Sequence, residues 1–171
     1  MVRLWRREGP DLLGVFGRLE AVEQGIEVSA KALAHVRRYR QTSSRAKEAG
    51  GQLFGTITQA LILVSTATGP YPGDERSRYQ YRSHPVAAQA EIQVQSKAGR
   101  LYLGEWHTHA EDYPGASGMD DEAMRLLLAR SQLNSNSLLL LIVGRLAAVE
   151  SLALWTVTPH RFDQWKLRNE T

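Results

Sequence analysis

The sequence predicts a mixed α/β domain, with about six strands and three helices arranged around a central sheet. Three observations support this fold class: strand-like apolar runs alternate with segments of helical apolar spacing, glycine and proline separate them, and 43% of the 171 residues are hydrophobic. A chain of this length can bury one core but is too short for two ordinary domains, so we expect residues 1–171 to form a single domain.

Six short segments have a strand-like pattern, and a seventh, the first along the chain, has a weaker one. The first is weak because Gly14 and Gly17 interrupt it, and the third and fourth are close enough to form a hairpin. The sixth is a continuous apolar run of the kind that is buried on both faces of a sheet. In chain order, the segments are 12–19, 25–28, 52–58, 61–68, 100–109, 137–143 and 150–158.

Three helices are predicted from apolar residues at helical spacing and from signals at the helix ends. Ser29 is a good N-cap for the first helix, over residues 30–41, because its hydroxyl can accept from a free backbone N–H. The second helix begins at Pro85, which favours a first helical turn, and ends at Gly99. The third covers residues 117–132 and carries an apolar stripe on one side.

Composition and charge exclude several classes of protein. The longest apolar run, residues 138–143, is far shorter than a membrane span of about 18 residues, and the N-terminus lacks the apolar core of a secretory signal. We therefore expect a cytoplasmic protein. The absence of cysteine excludes disulfides and thiolate metal sites. Because the net charge is only +3, we interpret the arginine clusters at 3–7 and 37–40 as solvated surface.

The chemistry-bearing pattern lies in residues 104–120. His107 and His109 are two residues apart on a predicted strand, so their side chains point to the same face of the sheet. Two imidazoles placed in this way can converge on one ion, and a catalytic zinc site takes three protein ligands and leaves one position open for water. Asp120, at the start of the third predicted helix, can supply the third ligand.

Two alternative assignments are possible within this segment. Ser117 and Asp120 have the spacing of a capping box, which would account for both without a metal. Glu105 lies two residues before His107 on the same face of the predicted strand and is a further candidate, as a ligand or as a partner of a histidine. We favour Asp120 as the third ligand because it completes the set.

The pattern His-x-His-x7-Ser-x2-Asp, from His107 to Asp120, resembles the JAMM signature of the JAB/MPN metallopeptidases at every fixed position. The run Glu-Ala-Gly-Gly that begins at Glu48 resembles the glutamate motif upstream of a strand in that family. Residues 102–109 resemble a prokaryotic branch that includes the deconjugating peptidase of CBASS anti-phage operons. That branch usually has proline after the second histidine, where this sequence has Ala110.

The resemblance implies an MPN/JAB-like fold with a Zn²⁺ ion bound by His107, His109 and Asp120. It also implies that Glu48 is the general base and that Ser117 helps to hold the oxyanion. The substrate it implies is a peptide or isopeptide bond after the C-terminal tail of a ubiquitin-like protein. In CBASS operons the conjugated protein is a nucleotidyltransferase resembling cGAS, and an E1/E2-like ligase is encoded in the same operon.

Three other functions remain open from the sequence alone. The chain can be a JAB peptidase that processes a sulfur-carrier protein or another ubiquitin-like precursor. It can be a non-catalytic MPN scaffold, although scaffolds usually lack ligands and here the ligand set is complete. It can also be a basic nucleic-acid-binding module, which the small net charge disfavours. We expect neither a nucleic acid nor a membrane as a partner.

Overall fold

A mixed sheet with helices packed against it makes up the part of the chain that the computed structural model describes, residues 13–20, 22–131 and 136–170. Within these residues the helices are α1 (Ala30–Arg37), α2 (Pro85–Lys97) and α3 (Gly118–Arg130). The strands are β1 (Val15–Arg18), β2 (Gly25–Val28), β3 (Gly50–Ile57), β4 (Leu61–Ala67), β5 (Glu75–Arg76), β6 (Tyr81–Arg82), β7 (Leu101–Thr108), β8 (Leu138–Val143), β9 (Leu152–Val157), β10 (Phe162–Gln164) and β11 (Lys166–Asn169).

Nine of these strands form one mixed sheet in the order β10-β9-β8-β7-β3-β4-β2-β1-β11, and β5 and β6 form a separate two-stranded sheet. In the large sheet, β7 pairs in parallel with β8 and antiparallel with β3. The predicted mixed α/β class is therefore confirmed, and so is the predicted hairpin, which consists of β3 and β4.

The strand count is higher than predicted, and the prediction that residues 150–158 form the last strand was wrong. β10 pairs with β9, and β11 pairs with β1 at the far edge of the sheet. Both strands have at most four residues and none that is fully buried, so they show no run of apolar alternation. β5 and β6, with two residues each, are too short to give any periodic signal.

The three predicted helices are all present, but α1 ends four residues earlier than predicted. Ser29 caps it as expected, since its side chain accepts from the Ala32 N–H at 3.2 Å. Beyond α1 the chain turns inward, because the buried Gln41 amide donates to the carbonyl oxygens of Ala46 and Arg78. These two carbonyls lie in loops, so helical periodicity could not reveal where the helix stops.

The sheet separates two apolar clusters, and β8 is buried on both faces, as predicted. Alternate β8 side chains join one cluster or the other. One cluster contains Trp106 and the buried side of α1, and the other contains Met124 of α3 and Trp155. No helix in the described ranges is long and apolar enough to cross a membrane.

Candidate active site

Strand β7 brings the two predicted histidines to one side of the sheet. His107 lies near the end of β7, and His109 follows directly, with its N–H donating to the Val143 oxygen at 3.0 Å. Both imidazoles are largely shielded, with side-chain exposures of 14% and 13%. Their Nε2 atoms are 3.0 Å apart. Two-residue spacing on an extended backbone thus gives the convergence expected from the sequence.

The first turn of α3 brings a carboxylate to the same point. Ser117 caps α3, and its hydroxyl oxygen accepts from the Asp120 N–H at 3.2 Å. In return, Asp120 Oδ2 accepts from the Ser117 N–H at 2.6 Å and from its hydroxyl at 2.7 Å. The capping box is therefore real, and it holds the Asp120 carboxylate in place beside the histidines.

The three candidate ligands form a compact group. Asp120 Oδ1 is 3.1 Å from His107 Nε2, and Asp120 Oδ2 is 3.7 Å from His109 Nε2. Ligands at about 2.0–2.1 Å from a tetrahedral zinc ion are roughly 3.3 Å from one another. The His107–His109 and His107–Asp120 Oδ1 separations of 3.0 and 3.1 Å are near that value, and one ligand atom from each residue lies within 4.8 Å of the others, so the donor set is compatible with a metal ion.

The protonation states of these groups also suit a cation. Burial alone would raise the pKa of Asp120, but hydrogen bonds from His107 and Ser117 outweigh burial and hold this pKa well below its usual range. Burial, followed by repulsion from His107, lowers the pKa of His109. At neutral pH the carboxylate is charged and the His109 imidazole is neutral, which are the states that bind metals.

Glu48 lies beside this group on the neighbouring chain segment. The β3–β7 register pairs Gly50, two residues after Glu48, with His107, and His107, Asp120 and Glu111 all act electrostatically on the Glu48 carboxyl. Glu48 is 7% exposed, and its N–H donates to the Ser77 oxygen at 2.7 Å. Burial raises the pKa of Glu48 to about 7, although attraction to His107 opposes this.

Two buried polar residues that the sequence analysis did not select fix this arrangement. Thr108, between the two histidines, points to the opposite face, where its hydroxyl accepts from the Ala49 N–H at 3.0 Å and donates to Gln41 at 3.2 Å. The Thr108 N–H also donates to the Ala49 oxygen at 2.8 Å. The sequence signal that could have identified Thr108 is its polar side chain at a core-facing strand position, because a buried hydroxyl needs a hydrogen-bond partner.

The other candidate from the sequence, Glu105, does not belong to the His-His-Asp group. Its carboxylate accepts from the Tyr102 hydroxyl at 2.5 Å and from the Gln52 amide at 2.9 Å. Glu111, in the loop after β7, lies close to the ligands, with Oε2 at 3.7 Å from His109 Nδ1. It can help to orient that ring while Nε2 faces the other ligands.

Comparisons with known proteins show which family and relatives this chain is similar to. Residues 29–158 match the family model for prokaryotic homologs of the JAB domain. A protein of Pseudomonas aeruginosa named CD-NTase/cGAS isopeptidase is 34% identical over 123 residues, which is 70% of this chain and 77% of that protein. A protein of the same name from Vibrio cholerae is 36% identical over 110 residues, covering 63% of this chain and 68% of that one.

A structural match extends over a similar share of the chain. A protein of Desulfitobacterium hafniense, known from its solution structure, has a TM-score of 0.56 and 20% identity, and the match covers 80% of this chain and 87% of that one. At this identity the match shows the fold alone. Because the family model spans most of the chain and includes every residue of the site, this protein belongs to the prokaryotic JAB family.

Proposed function

We propose that this chain is a zinc-dependent isopeptidase of the JAMM type, acting as a deconjugase in a bacterial CBASS-type anti-phage system. The observation that supports this most directly is the convergence of His107, His109 and Asp120 beside the buried Glu48. The substrate would be a ubiquitin-like or cGAS-like nucleotidyltransferase conjugate, cleaved after its C-terminal tail, with an E1/E2-like ligase as the source of the conjugate. The isopeptidase name of the relatives in Pseudomonas aeruginosa and Vibrio cholerae supports this assignment.

The residues of the site divide the work of hydrolysis. His107, His109 and Asp120 would hold the zinc ion, which supplies a Lewis acid for the scissile carbonyl and the attacking water. The Glu48 carboxylate takes a proton from the water and delivers it to the leaving amine. A pKa near 7 suits both steps, since the same group must accept and release a proton near neutral pH.

Ser117 has two roles in this proposal. In the structure its hydroxyl donates to Asp120 Oδ2 at 2.7 Å while its oxygen caps α3. To donate to a developing oxyanion, the Ser117 hydroxyl must rotate its proton away from Asp120. Asp120 Oδ2 then still accepts a hydrogen bond from the Ser117 N–H, at 2.6 Å. The cap therefore survives the catalytic role, because it uses the hydroxyl oxygen and the backbone rather than the hydroxyl proton.

The purified protein is expected to carry one zinc ion per chain, and His109→Ala is expected to lose most of it. Two remaining ligands rarely hold zinc on their own. Metal analysis after gel filtration measures the stoichiometry. His160→Ala is the matched control, because His160 is exposed and lies outside the ligand group. Full zinc occupancy in His109→Ala would remove His109 from the ligand set.

Glu48→Gln is expected to keep zinc and fold but to lose roughly 10²–10⁴-fold in kcat/KM, because the amide cannot accept the proton. In the wild type, kcat/KM should fall as the pH drops and Glu48 becomes protonated. Burial raises this pKa from 4.5 to about 7, and a bound cation lowers it, so the acid limb should lie between these values. If Glu48→Gln cleaved the substrate at the wild-type rate, the general base would be a different residue.

Ser117→Ala is expected to show two separable defects. Loss of the cap lowers the free energy of unfolding by about 1 kcal/mol, and loss of an oxyanion donor lowers kcat by roughly 10²–10³-fold. Ser29→Ala is the matched control, since Ser29 caps α1 with the same 3.2 Å bond. It should show the stability loss without the kinetic one. Equal turnover in both variants would leave Ser117 with a capping role alone.

A deconjugase is expected to need a flexible tail, because an extended peptide fits between a strand and the loop 110–116 and a compact loop does not. The assay presents one cleavage sequence in two forms, as a free tail joined to a lysine side chain and inside a folded surface loop. Rapid release of the tail with slow cleavage of the loop supports the proposal. Equal rates would indicate a general peptidase instead.

A further inference from the structure

A cavity of about 480 Å³ opens next to the candidate zinc site, between α2 and α3. His107 and Asp120 form part of its wall, so the cavity and the site are continuous. The remaining wall is mostly apolar and includes Ile92 of α2 with Met124 and Leu127 of α3. Cavities of this size and lining are typical of ligand pockets. A substrate bound at the metal would therefore have an apolar recess within reach.

Besides Asp120 of the candidate metal group, one further carboxylate lines this cavity, that of Glu105. Tyr102 donates its hydroxyl proton to Glu105 Oε1, and Gln52 donates from Nε2 to Glu105 Oε2 at 2.9 Å. The Tyr71 hydroxyl donates to Gln52 Oε1 at 2.6 Å and so fixes the orientation of that amide. Each carboxylate oxygen can accept two hydrogen bonds, so both keep acceptor capacity after these contacts.

A purely structural role does not explain why a carboxylate is used here. Gln52 and Glu105 are register partners on β3 and β7, and a pair of neutral side chains would tie the strands equally well. A carboxylate at a shielded position costs free energy unless donors surround it. The cation that lines the cavity, Arg82, is largely exposed and lies 3.8 Å from Glu75 at the surface. This guanidinium therefore forms no ion pair with Glu105, which borders the cavity with acceptor capacity left on both oxygens.

We propose that this cavity binds a basic side chain of the substrate tail, arginine or lysine, and that Glu105 determines this specificity. The aliphatic stem would lie between Ile92 and Met124, and the charged head would donate to Glu105. The identity of the ligand rests on the proposed function, because the basic residue belongs to the substrate tail that is cleaved. The pocket itself can be tested without any cleavage.

The binding test uses protein labelled with ¹³C at the methionine methyl groups. Met124 lines the cavity, whereas Met119, 72% exposed on the same helix, lies outside it. N-acetylarginine methylamide should shift the Met124 signal at concentrations where N-acetylleucine methylamide has no effect. Glu105→Gln should weaken this binding by about tenfold or more. Equal shifts from both amides, or no effect of Glu105→Gln, would overturn the proposal.

Glu105→Gln is a conservative test because its amide can bond to both partners, with the direction of the Tyr102 bond reversed. The new amide oxygen accepts from Gln52 while its NH₂ donates to the Tyr102 hydroxyl oxygen.

A second variant, Ala88→Leu, fills the cavity from α2. Val86→Leu on the same helix is the control, since Val86 is 72% exposed and lies outside the cavity lining. Ala88→Leu should abolish arginine amide binding, and Val86→Leu should leave it unchanged. Retained binding in Ala88→Leu would place the ligand elsewhere.

A cleavage test separates this proposal from the proposed function. Tail-lysine conjugates carrying arginine or leucine before the scissile bond should be cleaved at rates that favour arginine, with a smaller ratio in Glu105→Gln. Cleavage without any preference would overturn the basic pocket while the isopeptidase assignment stands. No cleavage of any conjugate, together with arginine binding that depends on Glu105, would overturn the isopeptidase assignment while the pocket stands.

Discussion

The antiparallel pairing of β3 with β7 is the constraint on which the site depends. This register places Gln52 opposite Glu105 and Gly50 opposite His107, so one face of two neighbouring strands carries Gln52, Glu105 and His107. A shift of one residue would move every one of them to the apolar side. Thr108 prevents such a shift, because its hydroxyl and N–H both bond to Ala49 from within the core.

Close backbone approach around this pair requires glycine at two positions. Gly104 in β7 has φ of +151°, and a Cβ there would overlap the Leu139 oxygen of β8. In β3, a Cβ on Gly51 would overlap the Thr68 oxygen. Any larger residue would push the neighbouring strands apart and misplace the histidines. The second glycine of the Glu-Ala-Gly-Gly run thus has a packing role beneath the site.

Much of the site could be predicted from the sequence because its signals are local. Two-residue spacing places the histidines together, and three-residue spacing places Asp120 on the cap of α3. The contacts of Gln41 could not be predicted, since its partners Ala46 and Arg78 lie in loops without periodicity. The pairing of β11 with β1 joins chain segments about 150 residues apart, which no local pattern encodes.

Glu48 and Glu105 are two carboxylates near the same pair of strands for which we propose different tasks, general base and recognition of a basic side chain. Burial raises the pKa of each to about 7, so protonation alone does not distinguish them. Their surroundings do: Tyr102 and Gln52 hold both oxygens of Glu105, whereas Glu48 is anchored through its backbone by Ser77 and Arg76. A base must move its proton, and a recognition group must stay fixed. Backbone anchoring suits the first role, and side-chain anchoring suits the second.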